Sequence, residues 1–116
     1  ATETATFFGN SHSAELALEQ QLATVNGRLK EAKRRVRVVV PSARHRTLHL
    51  RATLPPKPEE IQGPPLRRYI KVDVAYTAQG IEEAERLAIG LNSDITDWRN
   101  GKTFDWRKWD APKKRQ

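Results

Sequence analysis

The sequence predicts an α+β fold in which a three-stranded antiparallel sheet packs against helices, in the order αβββα. The reading rests on apolar residues that recur at helical spacing toward both ends of the chain, on central segments that alternate apolar and polar side chains at period two, and on Pro-containing breaks between those segments. With 116 residues and 37% hydrophobic content the chain can bury one modest core, so a single domain is expected over residues 13–109.

Residues 1–12 mix Thr, Phe and Gly without periodicity and read as a flexible leader. From Ser13, a residue suited to an N-cap, the apolar positions Leu18, Leu22, Val25, Leu29 and Ala32 step by four, three, four and three. That spacing, in a segment rich in Glu, Gln, Ala and Lys, predicts a helix over 13–34. Two heptads are too short for a stable coiled coil alone, so this helix is expected to pack on its own domain.

The β-branched run with Val36, Val38 and Val40 predicts a strand over 36–40, ended by Pro41 and Ser42. The next strand, 47–54, has the clearest pattern: Leu48, Leu50, Ala52 and Leu54 fall on one side, and Thr47, His49, Arg51 and Thr53 on the other. Pro55-Pro56-Lys57-Pro58 and Gly63-Pro64-Pro65 cannot join a ladder, so Pro55 to Leu66 reads as a long, stiff, exposed connection. A third strand is expected over 69–74, with Ile70, Val72 and Val74 inward and Tyr69, Lys71 and Asp73 outward.

A second helix is expected over 79–99, because Ile81, Ala84, Leu87, Ala88, Leu91 and Ile95 recur at helical spacing. Thr77 and Gly80 introduce it, Glu82, Glu83 and Glu85 are expected in its first turn, and Asn100-Gly101 stops it. Phe104, Trp106 and Trp109 supply an aromatic closure, and residues 110–116 read as a basic tail or a linker to a downstream domain.

The charge is unevenly spread. The chain holds 21 Lys and Arg against 14 Asp and Glu, a net charge of +7 that attracts polyanions. Between Arg28 and Arg51 the basic residues are Arg28, Lys30, Lys33, Arg34, Arg35, Arg37, Arg44, Arg46 and Arg51, against Glu31 alone. Gln79 to Asp97, most of the second helix, carries Glu82, Glu83, Glu85, Asp94 and Asp97 against Arg86, and a phosphate backbone would repel it. The sheet is therefore expected to bind double-stranded DNA on its wet face, through Arg37, His49, Arg51, Thr53, Tyr69 and Lys71, beside Val39. Arg44, Arg46, Arg67 and Arg68 are expected at the rim, on phosphates.

Other chemistry is not expected. Without Cys there is no disulfide framework, thiol catalysis or thiolate zinc site. His12, His45 and His49 share no metal-site spacing, no Gly-rich phosphate loop is present, and no carboxylates form an acid–base pair, so no cofactor, small-molecule substrate or catalysis is expected. No apolar run approaches the roughly 18 residues of a membrane span, and the start lacks signal-peptide features, so a cytoplasmic protein is expected. The absence of Met points to a chain excised from a longer parent.

Arg28-Leu29-Lys30, the segment Leu48-His49-Leu50-Arg51-Ala52-Thr53-Leu54-Pro55-Pro56-Lys57-Pro58, and the ending Gly101-Lys102-Thr103-Phe104-Asp105-Trp106 resemble the N-terminal region of phage-type integrases, the tyrosine site-specific recombinases, especially those of cyanobacterial type. The resemblance covers about residues 26–109. It implies a strand-rich, nucleoid-associated domain that inserts its sheet in the major groove of arm-type or flanking sites, with other recombinase subunits as further partners. The recombinase Arg, His and nucleophilic Tyr lie in a downstream domain, and neither Tyr69 nor Tyr76 matches a catalytic motif. The connection Glu59 to Arg68 is longer than that family's usual one, which leaves the register of the third strand open. Two other classes share these features: a double-stranded RNA-binding domain of the same element order, disfavoured by the acidic start Gln79-Gly80-Ile81-Glu82-Glu83, and a protein-interaction module using Leu18 to Ala32.

Overall fold

The computed structural model describes residues 2–41 and 46–109, with side chains from residue 13 onward. Its elements are α1 (Thr2–Glu31), β1 (Arg37–Val39), β2 (Thr47–Leu54), β3 (Leu66–Ala75), α2 (Ala78–Arg99) and a short α3 (Trp106–Trp109). The sheet is antiparallel with strand order β1-β2-β3, so the expected α+β architecture is present. α2 packs across all three strands, and α1 packs on α2 and β1.

Period-two alternation decides which sheet face is covered. Leu48, Leu50, Ala52 and Leu54 are all buried, joined by Val38 from β1 and by Ile70 and Val74 from β3. Against them lie Val25 and Leu29 of α1 and Ile81, Ala84, Ala88, Leu91 and Ile95 of α2. A Leu buried this completely contributes about 1.5–3 kcal/mol by leaving water.

Several boundaries differ from expectation. α1 begins at Thr2, where a leader up to residue 12 was expected. Extending a helix already nucleated and packed further along costs little per residue, even where no apolar stripe marks it. At its other end α1 stops at Glu31 rather than 34, because the Arg34 N–H turns back to Leu29 O and the Lys33 N–H to Lys30 O. This is a Schellman closure with Lys33 in the left-handed region at φ 61°. β1 is shorter than 36–40, although Val36 is still fully buried.

β3 starts at Leu66 rather than Tyr69, because the full length of β2 offers partners as far as Leu54↔Leu66. Its register is continuous from there to His49↔Lys71 and resumes at Leu48↔Val74, so Val72 and Asp73 form a bulge. Asp73 takes φ 54° there, a conformation Asp tolerates better than most residues. Ile70 and Val74 are buried as expected, while Val72, within the bulge, is only half-buried.

α2 begins where Thr77 Oγ1 accepts the Gly80 N–H at 3.0 Å. Gly80 is demanded by close approach, since a Cβ there would fall 1.8 Å from the Ala75 carbonyl oxygen. The first turn contains no acid, in contrast to expectation: with the helix starting at Ala78, Glu82, Glu83 and Glu85 fall beyond it. Gly101, at φ 101°, ends the helix as expected, its N–H on Trp98 O. Phe104 meets Trp106 edge-on at 5.2 Å, and Trp109 Nε1 donates to Asp94 at 2.8 Å, so the aromatic closure is part of the core.

One sheet edge and the long connection are each held by side chains. On β1, the Asn26 side chain accepts from the Val38 N–H at 2.8 Å and donates to Val38 O at 2.9 Å. A side-chain amide thereby imitates a neighbouring strand and seals that edge. The Pro-rich connection is pinned rather than free: the Glu60 carboxylate accepts from the Lys57 N–H and ion-pairs with Arg68, and Pro55 is buried.

Candidate nucleic-acid interface

The strand register assembles the polar side chains into rows. Arg37 stands opposite Arg51, which stands opposite Tyr69; Val39, His49 and Lys71 make a second row; Thr53 and Arg67 a third. Both long helices lie on the other face, and among the described residues no helix covers this one. Seven of the expected site residues, Arg37, His49, Arg51, Thr53, Arg67, Tyr69 and Lys71, are thus on one uncovered face. Tyr69 is 59% exposed.

Two others are placed differently, and one is not described. Arg68 pairs with Ala52 on the covered side, ion-pairs with Glu60, and lies 5.5 Å from the Trp106 ring centre, so it is a structural clamp on the Pro-rich loop. Arg46 lies over the Tyr76 ring at 5.3 Å and reaches Glu15 at 3.4 Å, which directs it toward α1. Arg44 lies outside the described residues, as do His45 and the basic tail.

The structure adds residues that periodicity did not assign. At one end of the sheet a cleft of about 490 Å³ is lined by Lys30, Lys33, Arg34 and Arg35 from the end of α1 and the turn after it, and by Arg37, Arg51, Ala52, Thr53 and Arg67 from the sheet. The signal was the run Lys30 to Arg37, read as helical charge up to Arg34. The Schellman turn instead redirects its last residues toward the strands.

Cations divide into two populations. On the covered side several are matched by a carboxylate: Arg28 makes a bidentate contact with Glu85 at 2.9 and 2.8 Å, and Lys108 reaches Asp94 at 3.0 Å. The Arg28 contact, first by hydrogen bonding and then by charge, holds the Glu85 carboxyl below its ordinary range. Hydrogen bonds from Arg68 and from the Lys57 N–H do the same for Glu60. Burial, with Glu15 and Glu19 nearby, pushes the Tyr76 hydroxyl up.

In the cleft and on the open face, by contrast, Lys30, Lys33, Arg35, Arg51 and Arg67 form no ion pair among the described residues. Arg37 is held by its own neighbourhood, Nη1 donating to Arg34 O at 2.8 Å and to Val36 O at 2.9 Å. Its guanidinium is fixed in place beside Arg51 with no countercharge. Like charges directly opposite on a sheet destabilise it, so this row sacrifices stability for a positive potential.

His49 is half-buried, and its Nδ1 has no hydrogen-bond partner among the described residues. No group of three His, Cys, Asp or Glu arranged for a metal ion occurs among them, and no helix there is long and apolar enough to cross a membrane. What the geometry offers is a concave-to-flat cationic surface with aromatic and hydroxyl side chains interspersed.

The family model described as XisA/XisC N-terminal domain matches residues 3–116 of the chain. Neither a curated protein nor a solved structure matches it.

Proposed function

Because the chain belongs to the XisA/XisC N-terminal domain family, the N-terminal domain of cyanobacterial heterocyst excision recombinases, we propose that it is a nucleoid-associated DNA-targeting domain. In this reading the uncovered sheet face enters the major groove of a recombination site. Arg51, His49, Thr53, Tyr69 and Lys71 meet base edges, Arg37 stiffens the row, and Arg67 with Arg44 holds phosphates. Bond cleavage belongs to other domains of the parent recombinase, whose subunits are the further partners. The chain itself carries out no reaction.

The observation that carries this reading is the uncompensated Arg37–Arg51 pair at the centre of an open sheet face, flanked by further unpaired cations. A protein gains from such an arrangement when a polyanion supplies the missing charge. An RNA duplex fits less well, since the acidic α2 that would grip its phosphates in the alternative lies behind the sheet.

The test is binding of the chain to matched DNA and RNA duplexes across a salt series, followed by selection of preferred sites from a randomised DNA pool. DNA-selective, steeply salt-dependent binding with a recoverable sequence preference is expected. Salt-insensitive or RNA-selective binding contradicts the reading. Arg51→Ala is expected to flatten the sequence preference, and Arg44→Ala to weaken all duplexes alike.

A further inference from the structure

The cleft at the end of the sheet holds more charge than base reading requires, and its position is informative. From His49 to Thr53, β2 advances by four residue steps, or about 14 Å at roughly 3.4 Å per step. The major groove is about 12 Å wide. Laid across the groove, a reading strip of that length spans it, and the basic turn beside Thr53 then stands next to a groove wall, where the DNA backbone runs. Lys30, Lys33, Arg34, Arg35, Arg51 and Arg67 line the cleft at that end.

Lys33 adds an independent observation. It occupies the left-handed position of the Schellman closure, φ 61°, where Gly is the unstrained choice. It is exposed and its side chain makes no ion pair among the described residues, so only the backbone bonds of the turn hold this conformation and the cation itself gains nothing there from the domain. The same turn carries Arg34 and Arg35 off the helix axis, and Arg35 is anchored through its backbone N–H to Asn92 Oδ1 at 3.0 Å. A rigid turn thus presents three consecutive positions of side-chain cation to one spot. Arg34 also lies near enough to Glu85 for its charge to help hold that carboxyl down.

We propose that this cleft is a dedicated seat for adjacent backbone phosphates of one DNA strand, with Lys33 and Arg35 as its anchors, distinct in role from the base-reading rows. The inference rests on the DNA-binding reading above and sets which end of the sheet faces a backbone. Phosphodiester oxygens suit it: they are anionic, closely spaced along the strand and insensitive to sequence.

The experiment compares the wild-type chain with Lys33→Gly, Arg35→Ala and Arg51→Ala, measuring affinity for a panel of DNA duplexes across a salt series, together with thermal unfolding. For Lys33→Gly and Arg35→Ala we expect an about fivefold loss on every duplex alike and a salt slope smaller by about one. Lys33→Gly is also expected to unfold at an equal or higher temperature, because Gly relieves the strained backbone. Lower affinity from a more stable protein cannot arise from misfolding. Wild-type affinity and slope in both cleft variants, with Arg51→Ala still losing sequence preference, would overturn the phosphate seat and leave the sheet reading standing. If the wild-type chain binds no duplex in a salt-dependent way, both fall together.

Discussion

The two faces of one three-stranded sheet obey opposite rules. On the covered side Arg28 and Lys108 are matched by Glu85 and Asp94, and every strand contributes side chains that are nearly or fully dry. On the open face Arg37 and Arg51 stand opposite each other, and neither they nor Arg67 has an acid for company among the described residues. Leu50 and Arg51 are chain neighbours, so nothing regional in composition separates the faces. The pleat does, by sending successive side chains to opposite sides. One face therefore provides folding free energy, and the other a surface whose cations the described residues leave largely without countercharge.

The sharpest way to break this comparison is a pair of substitutions one residue apart. Leu50→Ala is expected to destabilise the domain by about 2–5 kcal/mol in urea unfolding, leaving a cavity at the centre of the core. Arg51→Ala should change stability by less than about 0.5 kcal/mol while relaxing DNA sequence discrimination by about 1–3 kcal/mol. If Arg51→Ala proves as destabilising as Leu50→Ala, the open face is structural and the division is wrong.

Gly80→Ala tests how tightly α2 is seated on the covered face. With the Ala75 carbonyl in the way, a loss of about 1–3 kcal/mol is expected, with DNA affinity unchanged once the protein is folded. The sealed edge comes next. Asn26→Ala leaves the Val38 N–H and C=O without their side-chain partner, at an expected cost of about 1–3 kcal/mol. Light scattering of the variant should also show self-association through the opened β1 edge; a monodisperse, fully stable variant would mean that water replaces Asn26 without penalty.

Acid produces the smallest effect. The Glu85 carboxyl is held below its ordinary value of 4.5 in the folded chain. Its contribution is complete above that value and is lost as pH falls through the lower folded value. Melting temperature should therefore decline on the acid side of about pH 4.5 and stay level above it up to neutrality. Glu85→Gln is expected to shallow that decline, and an identical acid profile in the variant would show that the Arg28 contact adds nothing.

Much of the fold was legible in the residues. β2 was readable to the residue over 47–54, because its alternation is unbroken and both ends carry turn chemistry. The α2 stripe and the Asn100-Gly101 stop were readable for the same kind of reason. The start of α1 was not, since a helix without an apolar stripe leaves no periodic mark. The end of α1 was misjudged because Lys33 sits where Gly would have announced a Schellman turn. Arg68 was assigned to the rim from charge alone; its clamp on Glu60 depends on a loop contact across eight residues that no local pattern encodes.

By itself, then, the sequence determined the α+β class, the alternation that separates a dry face from a charged one, and the family, because these depend on local periodicity and on motif residues close together in the chain. Tertiary structure alone decided which cations meet. Arg37, Arg51 and Arg67 are brought together by strand register, and Lys30, Lys33, Arg34 and Arg35 join them through a backbone turn at the end of α1. Register and turns are set by the packing of the whole core, so a basic residue's partner, whether carboxylate or solvent-facing cleft, is a property of the fold and not of its neighbours in sequence.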